Sequence, residues 1–521
     1  MAALLLATYF AVLGALSLHG LHRARLAWIA WRHRESPVPA RAATRPVLVQ
    51  LPLYNEAFVA ERVMRAAAAL RFPEGGVVQV LDDSTDETRA VVDRVARELR
   101  TAGVDVEVVR RSDRTGYKAG ALAEGLRRRP DAEVVAIFDA DFMPRPDFVE
   151  QALPRLLAAD DIGLVQARWG HLNRDASLLT RAQAVFLDGH FAVEHAARMQ
   201  LGHPFNFNGT AGLWRRAAID EAGGWQGDTI TEDLDLSYRA QMKGWRFVYA
   251  HDLVAPAELP ESWTAFRAQQ ARWTRGSVET ARKLLGSVLR AEKLTLGARI
   301  DAAIHLTSNF AYLLMAALAV LLPAALVLRE ELGWRVPGGR LLLSGMDMST
   351  LGAGTLAVTA FYLVALARTG AGPVRRIGDV LFALCLGAGM SLSNAREILR
   401  GLRSRSSEFV RTPKKGDFAS ASPGAALESG GTGDAAGAPK AVGGYRARSK
   451  PWLIVIELGF AGYFAAGLVY AMTWRVWGAM PFLILYLLGF STVALRSAFE
   501  ALGPRTQSAP VPADPQLAER A

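Results

Sequence analysis

Four motifs that can do chemistry follow one another along the chain: Asp82-Asp83, Asp139-Ala140-Asp141, Thr231-Glu232-Asp233 and Gln269-Gln270-Ala271-Arg272-Trp273. Asp139 and Asp141 set two carboxylates two residues apart, and such oxygen ligands suit a hard divalent cation, Mg²⁺ or Mn²⁺. One of them could reach the metal and the other the sugar or ribose side of a diphosphate ligand. A cation there would offset negative charge building up on a departing diphosphate. Lys118, in Arg114-Thr115-Gly116-Tyr117-Lys118-Ala119-Gly120, could add a second positive charge. Asp233, beside Glu232, could act as the general base that takes a proton from an acceptor hydroxyl. Gln269 and Arg272 share one helix face and suit phosphate or hydroxyls, while Trp273 offers an apolar plane for a sugar ring.

These residues need a frame that converges them. Short apolar runs at 46–51, 77–81, 104–109, 134–138 and 162–166 read as largely buried strands, with amphipathic stretches at 56–70 and 85–100 between them. The alternation predicts an α/β domain with a doubly wound, mostly parallel sheet. In such sheets ligands bind beyond the carboxyl ends of the strands, where both acid pairs fall. Each motif also has a plain structural reading. Strand-end aspartates form turns, and Thr231 is a candidate N-cap for a helix at 234–242 whose acids complement the dipole. The amphipathic stretch at 262–285 could be an interfacial helix anchored by Trp273. His190 and His195 flank Glu194 in a spacing foreign to zinc proteases, so no metal role is assigned to them.

The 521 residues are 51% hydrophobic and 21% charged, a mixture of polar domain and membrane spans. The net charge of +10 is localised beside the apolar runs, at Arg23, Arg25, Arg32 and Arg34 and again at Arg396, Arg400, Arg403, Arg405, Arg411, Lys414 and Lys415. That placement marks the cytoplasmic side of membrane segments and argues against nucleic acid as a partner. Cys385 is the only cysteine, which excludes an intrachain disulfide and a cysteine-based zinc site. A span is expected over 1–20, followed by others near 305–328, 350–367, 452–472 and 479–495, about five crossings in all. Pro323 and Glu457 fit such helices only if neighbours satisfy them. The stretch 377–393 is read as interfacial or re-entrant, because a full crossing would put the basic run that follows it outside.

The expected organisation is therefore a span (1–20), a cytoplasmic polar domain (44–260), amphipathic helices (261–300) and membrane and interfacial helices (301–395). A loop-like segment (396–415), a Gly/Ala/Ser-rich linker (416–450), two more spans (451–500) and a tail (501–521) complete it. Asn208-Gly209-Thr210 matches a glycosylation acceptor but lies in the domain placed inside the cell.

Together and in this order the motifs resemble the family 2 processive glycosyltransferases of the cellulose-synthase superfamily, and within it the mannan and glucan synthases of the cellulose-synthase-like group. The resemblance rests on Gln50-Leu51-Pro52-Leu53-Tyr54-Asn55-Glu56, Gly116-Tyr117-Lys118-Ala119-Gly120, Phe207-Asn208-Gly209-Thr210 and the four motifs above. It implies a GT-A catalytic fold, a nucleotide-sugar donor (UDP-glucose or GDP-mannose), and inversion at the anomeric carbon. It implies that Tyr54, Glu56, Asp82, Asp83, Lys118, Asp139, Gln269 and Arg272 bind the donor. Asp141 would hold the metal, and Asp233 would be the base, with Glu232, Asp139 and Asp141 in the catalytic group. Phe207, Asn208, Gly209, Thr210 and Trp273 would meet the acceptor. Many cellulose synthases carry Cys at the position of Asn208, so the Asn favours the mannan-synthase-like group. Phe409, Thr412 and Lys414 match part of a gating loop, although Arg411 stands where Val is usual. No strand-rich segment of the size of a cyclic-di-GMP-binding barrel is expected in this chain.

The implied setting is the cell (inner) membrane, with the lipid bilayer and a polysaccharide or glycolipid acceptor as partners. Export of the product and accessory subunits are compatible with it. Two rivals remain: a single-transfer lipid glycosyltransferase acting on a ceramide or diacylglycerol, and a catalytically inactive membrane scaffold or transporter. The number of spans and the gate-like segment favour a polymer over the first, and the full set of acids disfavours the second.

Overall fold

The computed structural model describes residues 2–32, 44–335, 345–403 and 451–502. The gate-like residues Phe409, Thr412 and Lys414, the 416–450 linker and the tail beyond 502 lie outside the described residues.

Among the described residues, seven strands form one sheet: β1 (Val47–Leu53), β2 (Gly76–Asp82), β3 (Val106–Val109), β4 (Val134–Ile137), β5 (Ile162–His171), β6 (Gly212–Arg215) and β7 (Arg246–Ala257). Their order is β3-β2-β1-β4-β6-β5-β7, and all pairings are parallel except those of β6. The sequence anticipates β1 to β5 within a few residues and misses β6 and β7. The four residues of β6 are too short to show a period, and β7 carries His251 and Asp252 in its middle.

β1 is buried at every position but Pro52, as a strand covered on both faces must be. The helix Ala57–Ala68 turns Val59, Ala60, Val63, Met64 and Ala67 onto the sheet, the 3–4 spacing of an apolar stripe. Because β6 runs antiparallel, its first residue, Gly212, pairs with the last residue of β4, Ile137. The loop ahead of β6 therefore opens on the same edge as the ends of β1, β2 and β4.

Among the described residues, five helices are long and apolar enough to cross a membrane: Ala2–Arg32, Ser308–Leu328, Gly345–Arg368, Pro451–Thr473 and Trp477–Leu502. They match the five expected segments, with the first extending well past residue 20. The 377–393 stretch lies in a helix pair, Ile377–Gly389 and Ser391–Arg403, bent by 50°. Pro323 lies against Gly467, where a Cβ would sit 3.2 Å from its ring, and Glu457 is paired with Arg267. Both residues thus find the neighbours that a membrane helix requires of them.

Candidate active site

The parallel register of β2 and β3 builds the first part of the site. Leu81 pairs with Val109, so the next two residues of each strand continue as neighbours. Arg110 Nε donates to Asp82 Oδ2 at 2.8 Å, and Arg111 grips Asp83 through two bonds of 3.0 and 2.5 Å. Asp82 is fully buried, and its other oxygen accepts from Ser84 N. The carboxylates expected to meet a nucleoside are thus turned onto guanidinium groups. Nearby, the Arg114 guanidinium lies 3.2 Å above the Tyr54 ring, while buried Glu56 starts the Ala57–Ala68 helix with its carbonyl. Sequence reasoning missed Arg110 and Arg111, although two arginines directly after a strand were a visible signal.

Lys118 is the centre of the second part. It enters the first turn of the helix Tyr117–Arg128 from Gly116, whose φ of 72° requires the left-handed region. Its Nζ donates to Asp139 Oδ1 at 2.5 Å and to the Gly209 carbonyl at 2.9 Å. Asp139 N donates in turn to Thr210 Oγ1. Asp141 stands half-buried two residues on. Gly209 itself has a φ of +80°, and a Cβ there would lie 3.0 Å from Asp233 Oδ2 and 3.3 Å from Lys118 Nζ. One lysine, one loop glycine and the acids of two separate motifs therefore meet within a few ångströms.

Glu232 and Asp233 open the helix Glu232–Met242. Thr231 holds the N-cap position, but its hydroxyl bonds Thr280 Oγ1 at 2.9 Å and makes no cap, a correction to the expected N-cap. Burial raises the Asp233 carboxyl to about 6 against the opposing pull of Lys118. Burial and the adjacent Asp233 raise Glu232 further. Lys118 loses some basicity to burial, but Asp139 and Glu232 outweigh that and hold it protonated. A carboxylate poised near neutrality beside a fixed cation can take up a proton.

Gln269, Arg272 and Trp273 lie half-buried on the long helix Trp263–Leu289. That helix packs on the Thr231-Glu232-Asp233 motif at Gly276, where a Cβ would clash with Thr231 at 2.6 Å. Glu279 accepts from Ile230 N, and Lys283 bonds Gln226, Asp228 and Asp235. Gln269, Arg272 and Trp273 precede Gly276 by one to two turns on the same side of the helix, so they lie beside the crevice.

At the loop 207–210, Asn208 Nδ2 donates to His190 Nε2 and Asn208 Oδ1 accepts from His195 Nε2, both at 2.8 Å. Buried Gln166 accepts from Asn208 N, and Phe207 N donates to Ser237 Oγ. The histidines set aside as metal ligands thus clamp the loop amide. Their spacing of 13 and 18 residues from Asn208 gave no local signal.

Among the described residues, no group of three or more His, Cys, Asp or Glu surrounds a common metal position. The carboxylates of Asp139 and Asp141 are oxygen donors of the kind a hard cation takes, and alone they would fill only part of its shell.

Residues 45–276 match the family described as "Glycosyltransferase like family 2". The chain is 43% identical over 289 residues to glucomannan 4-beta-mannosyltransferase 1 of Oryza sativa subsp. japonica, an alignment covering 54% of this chain and 55% of that protein. It is 46% identical over 252 residues to glucomannan 4-beta-mannosyltransferase 2 of Arabidopsis thaliana, covering 48% and 47%. The chain spans about half the length of the curated relatives it matches. Among solved structures it is similar to a mannosyltransferase of Pyrobaculum calidifontis in complex with GDP-Man and Mn²⁺. That likeness has a TM-score of 0.50 at 23% identity and covers 70% of this chain and 98% of that one, a likeness of fold.

Proposed function

We propose that this chain, whose residues 45–276 match the family 2 glycosyltransferases, is an inverting, membrane-bound hexosyltransferase of GT-A fold that extends a β-1,4-linked mannan or glucan. GDP-mannose is the first donor we assign, from the names of the relatives, with UDP-glucose the second. The observation that carries the reading is the meeting of Lys118, Asp139, Gly209 and Asp233 at one sheet edge, under the helix that bears Trp273.

In the proposed reaction Asp233 removes the proton of an acceptor hydroxyl as its oxygen attacks the anomeric carbon. The bond from that carbon to the donor phosphate breaks on the opposite face, and its electron pair leaves with the nucleoside diphosphate. Configuration inverts once. Lys118 stands where that negative charge would collect, fixed in advance by Asp139 and the Gly209 carbonyl. A divalent cation held by Asp141, with Asp139 on the donor side, would neutralise more of it. Trp273 and the loop 207–210 would hold the acceptor sugar, with Asn208 locked in orientation by its two histidines. Arg272 and Gln269 would face the diphosphate and hydroxyls. Tyr54, Glu56, Asp82 and Asp83 form the nucleoside end, where Arg110, Arg111 and Arg114 add positive charge.

The helices that can cross a bilayer, with the basic residues at their ends, support a cell-membrane protein whose catalytic domain faces the cytoplasm. Membranes carrying the full chain, given labelled GDP-mannose or UDP-glucose with Mg²⁺ or Mn²⁺, should form a product that sizes as a polymer and is cut by a β-1,4-mannanase or glucanase. A single labelled lipid as the only product would replace the polymer reading with the single-transfer one.

A further inference from the structure

The helix Trp263–Leu289 is anchored at its start by the last two membrane helices, through contacts the proposed chemistry does not use. Arg267 forms two bonds with Glu457, of 3.0 and 2.8 Å, and a third, of 2.9 Å, with Ser497 Oγ. Glu457 is fully buried in the apolar helix Pro451–Thr473. A carboxylate there is costly unless it is paired, and membrane-buried acids mark function more often than packing. At the helix start Glu500 accepts from Trp263 N at 2.6 Å and from Thr264 N at 2.9 Å, and bonds the hydroxyls of Thr264 and Ser262. Two acids on two different membrane helices thus grip one turn and a half of the same amphipathic helix.

Trp273 stands six residues beyond Arg267, about 9 Å along the axis at 1.5 Å per residue. Past it the same helix is seated on Thr231 through Gly276 and Thr280. A rod fixed at its start and seated on the base motif transmits any slip at the start directly to Arg272 and Trp273. We propose that Arg267, Glu457 and Glu500 are positioning residues that register the acceptor-holding helix against the last two membrane helices. The inference rests on the glycosyltransferase reading. The donor groups Lys118, Asp139 and Asp83 lie on other elements, so the link governs where the acceptor sits more than whether the donor reacts.

The test compares two activities of the full chain in lipid nanodiscs with labelled GDP-mannose and UDP-glucose: transfer to added β-1,4-mannobiose or cellobiose, and donor hydrolysis without acceptor. Glu457→Gln keeps the side-chain shape and removes the charge. It should lower the ratio of transfer to hydrolysis by about tenfold or more and raise the acceptor KM, since a misplacement of 1 Å can cost about a hundredfold. Arg267→Lys, which keeps the charge without the two-pronged grip, should fall between that variant and the wild type. Glu500→Gln still accepts from Trp263 N and should lower the ratio about threefold. This last variant sits at the exposed end of its helix and keeps the test decisive if Glu457→Gln does not fold. An unchanged ratio, or an equal fall in both activities, would overturn the positioning role. A wild-type chain that neither transfers nor hydrolyses either donor would instead overturn the parent reading.

Discussion

The two ends of the candidate crevice treat their acids in opposite ways. At the proposed nucleoside end Asp82 and Asp83 are each met by a guanidinium, a pairing laid down by strand register. At the proposed acceptor end Glu232 and Asp233 share the nearby Lys118, which Asp139 and Gly209 already engage, and both carboxyls are raised by burial. Acids that are fully paired hold charge and shape. Acids left partly unpaired in a low-dielectric crevice hold a proton loosely enough to exchange it. The difference teaches that a string of similar Asp motifs contains two kinds of acid, which only the surroundings separate.

The sharpest way to break that comparison is Asp233→Asn. Loss of the base should lower kcat for transfer by about 10² to 10⁴-fold with the donor KM little changed. The same substitution removes a buried carboxylate whose charged form is disfavoured, so the thermal midpoint of the purified chain should rise while activity collapses. Asp83→Asn should do the reverse at the nucleoside end, lowering the midpoint because Arg111 loses its partner. If both substitutions moved stability the same way, the division into two kinds of acid would fail.

Gly209→Ala comes next in size. A methyl group there would press on both Asp233 and Lys118 from a backbone conformation that disfavours side chains, and transfer should drop by about ten- to a hundredfold. Ala at Gly103, whose φ is also positive but whose Cβ would meet nothing, should leave transfer near wild type.

The strands and the order of the motifs were legible because each acid pair directly follows an apolar run, and a parallel sheet brings such ends to one edge. The base motif was legible as an acidic helix start, but its threonine was misread. The cap signal is local, while the Thr280 hydroxyl that claims it comes from another helix. Arg110 and Arg111 lie 28 residues from their aspartates, so their roles emerge only once register is known. The histidine clamp on Asn208 was invisible for the same reason, since it joins a helix to a loop across the base of the domain. Residues whose placement follows from strand ends could be read in one dimension; those whose partners follow from packing could not.

A pH series sharpens the comparison with a smaller effect. Asp233 must be ionised to accept a proton, and burial raises its carboxyl to about 6, so transfer should fall as pH drops through about 6 and level off above it. Because the folded pKa exceeds the unfolded one, acid in this range does not destabilise the fold through this group. The loss should therefore reverse fully when the enzyme is returned to neutral pH.

Arg111→Lys should give the smallest effect. Lysine keeps the positive charge beside Asp83 but cannot form the two parallel bonds that fix its carboxylate. Since Asp83 holds charge and shape and does not exchange a proton, the donor KM should rise about threefold with kcat unchanged. A fall in kcat with KM constant would mean that Asp83 acts in the transition state, and the nucleoside end would then belong with Asp233 on the side of the chemistry.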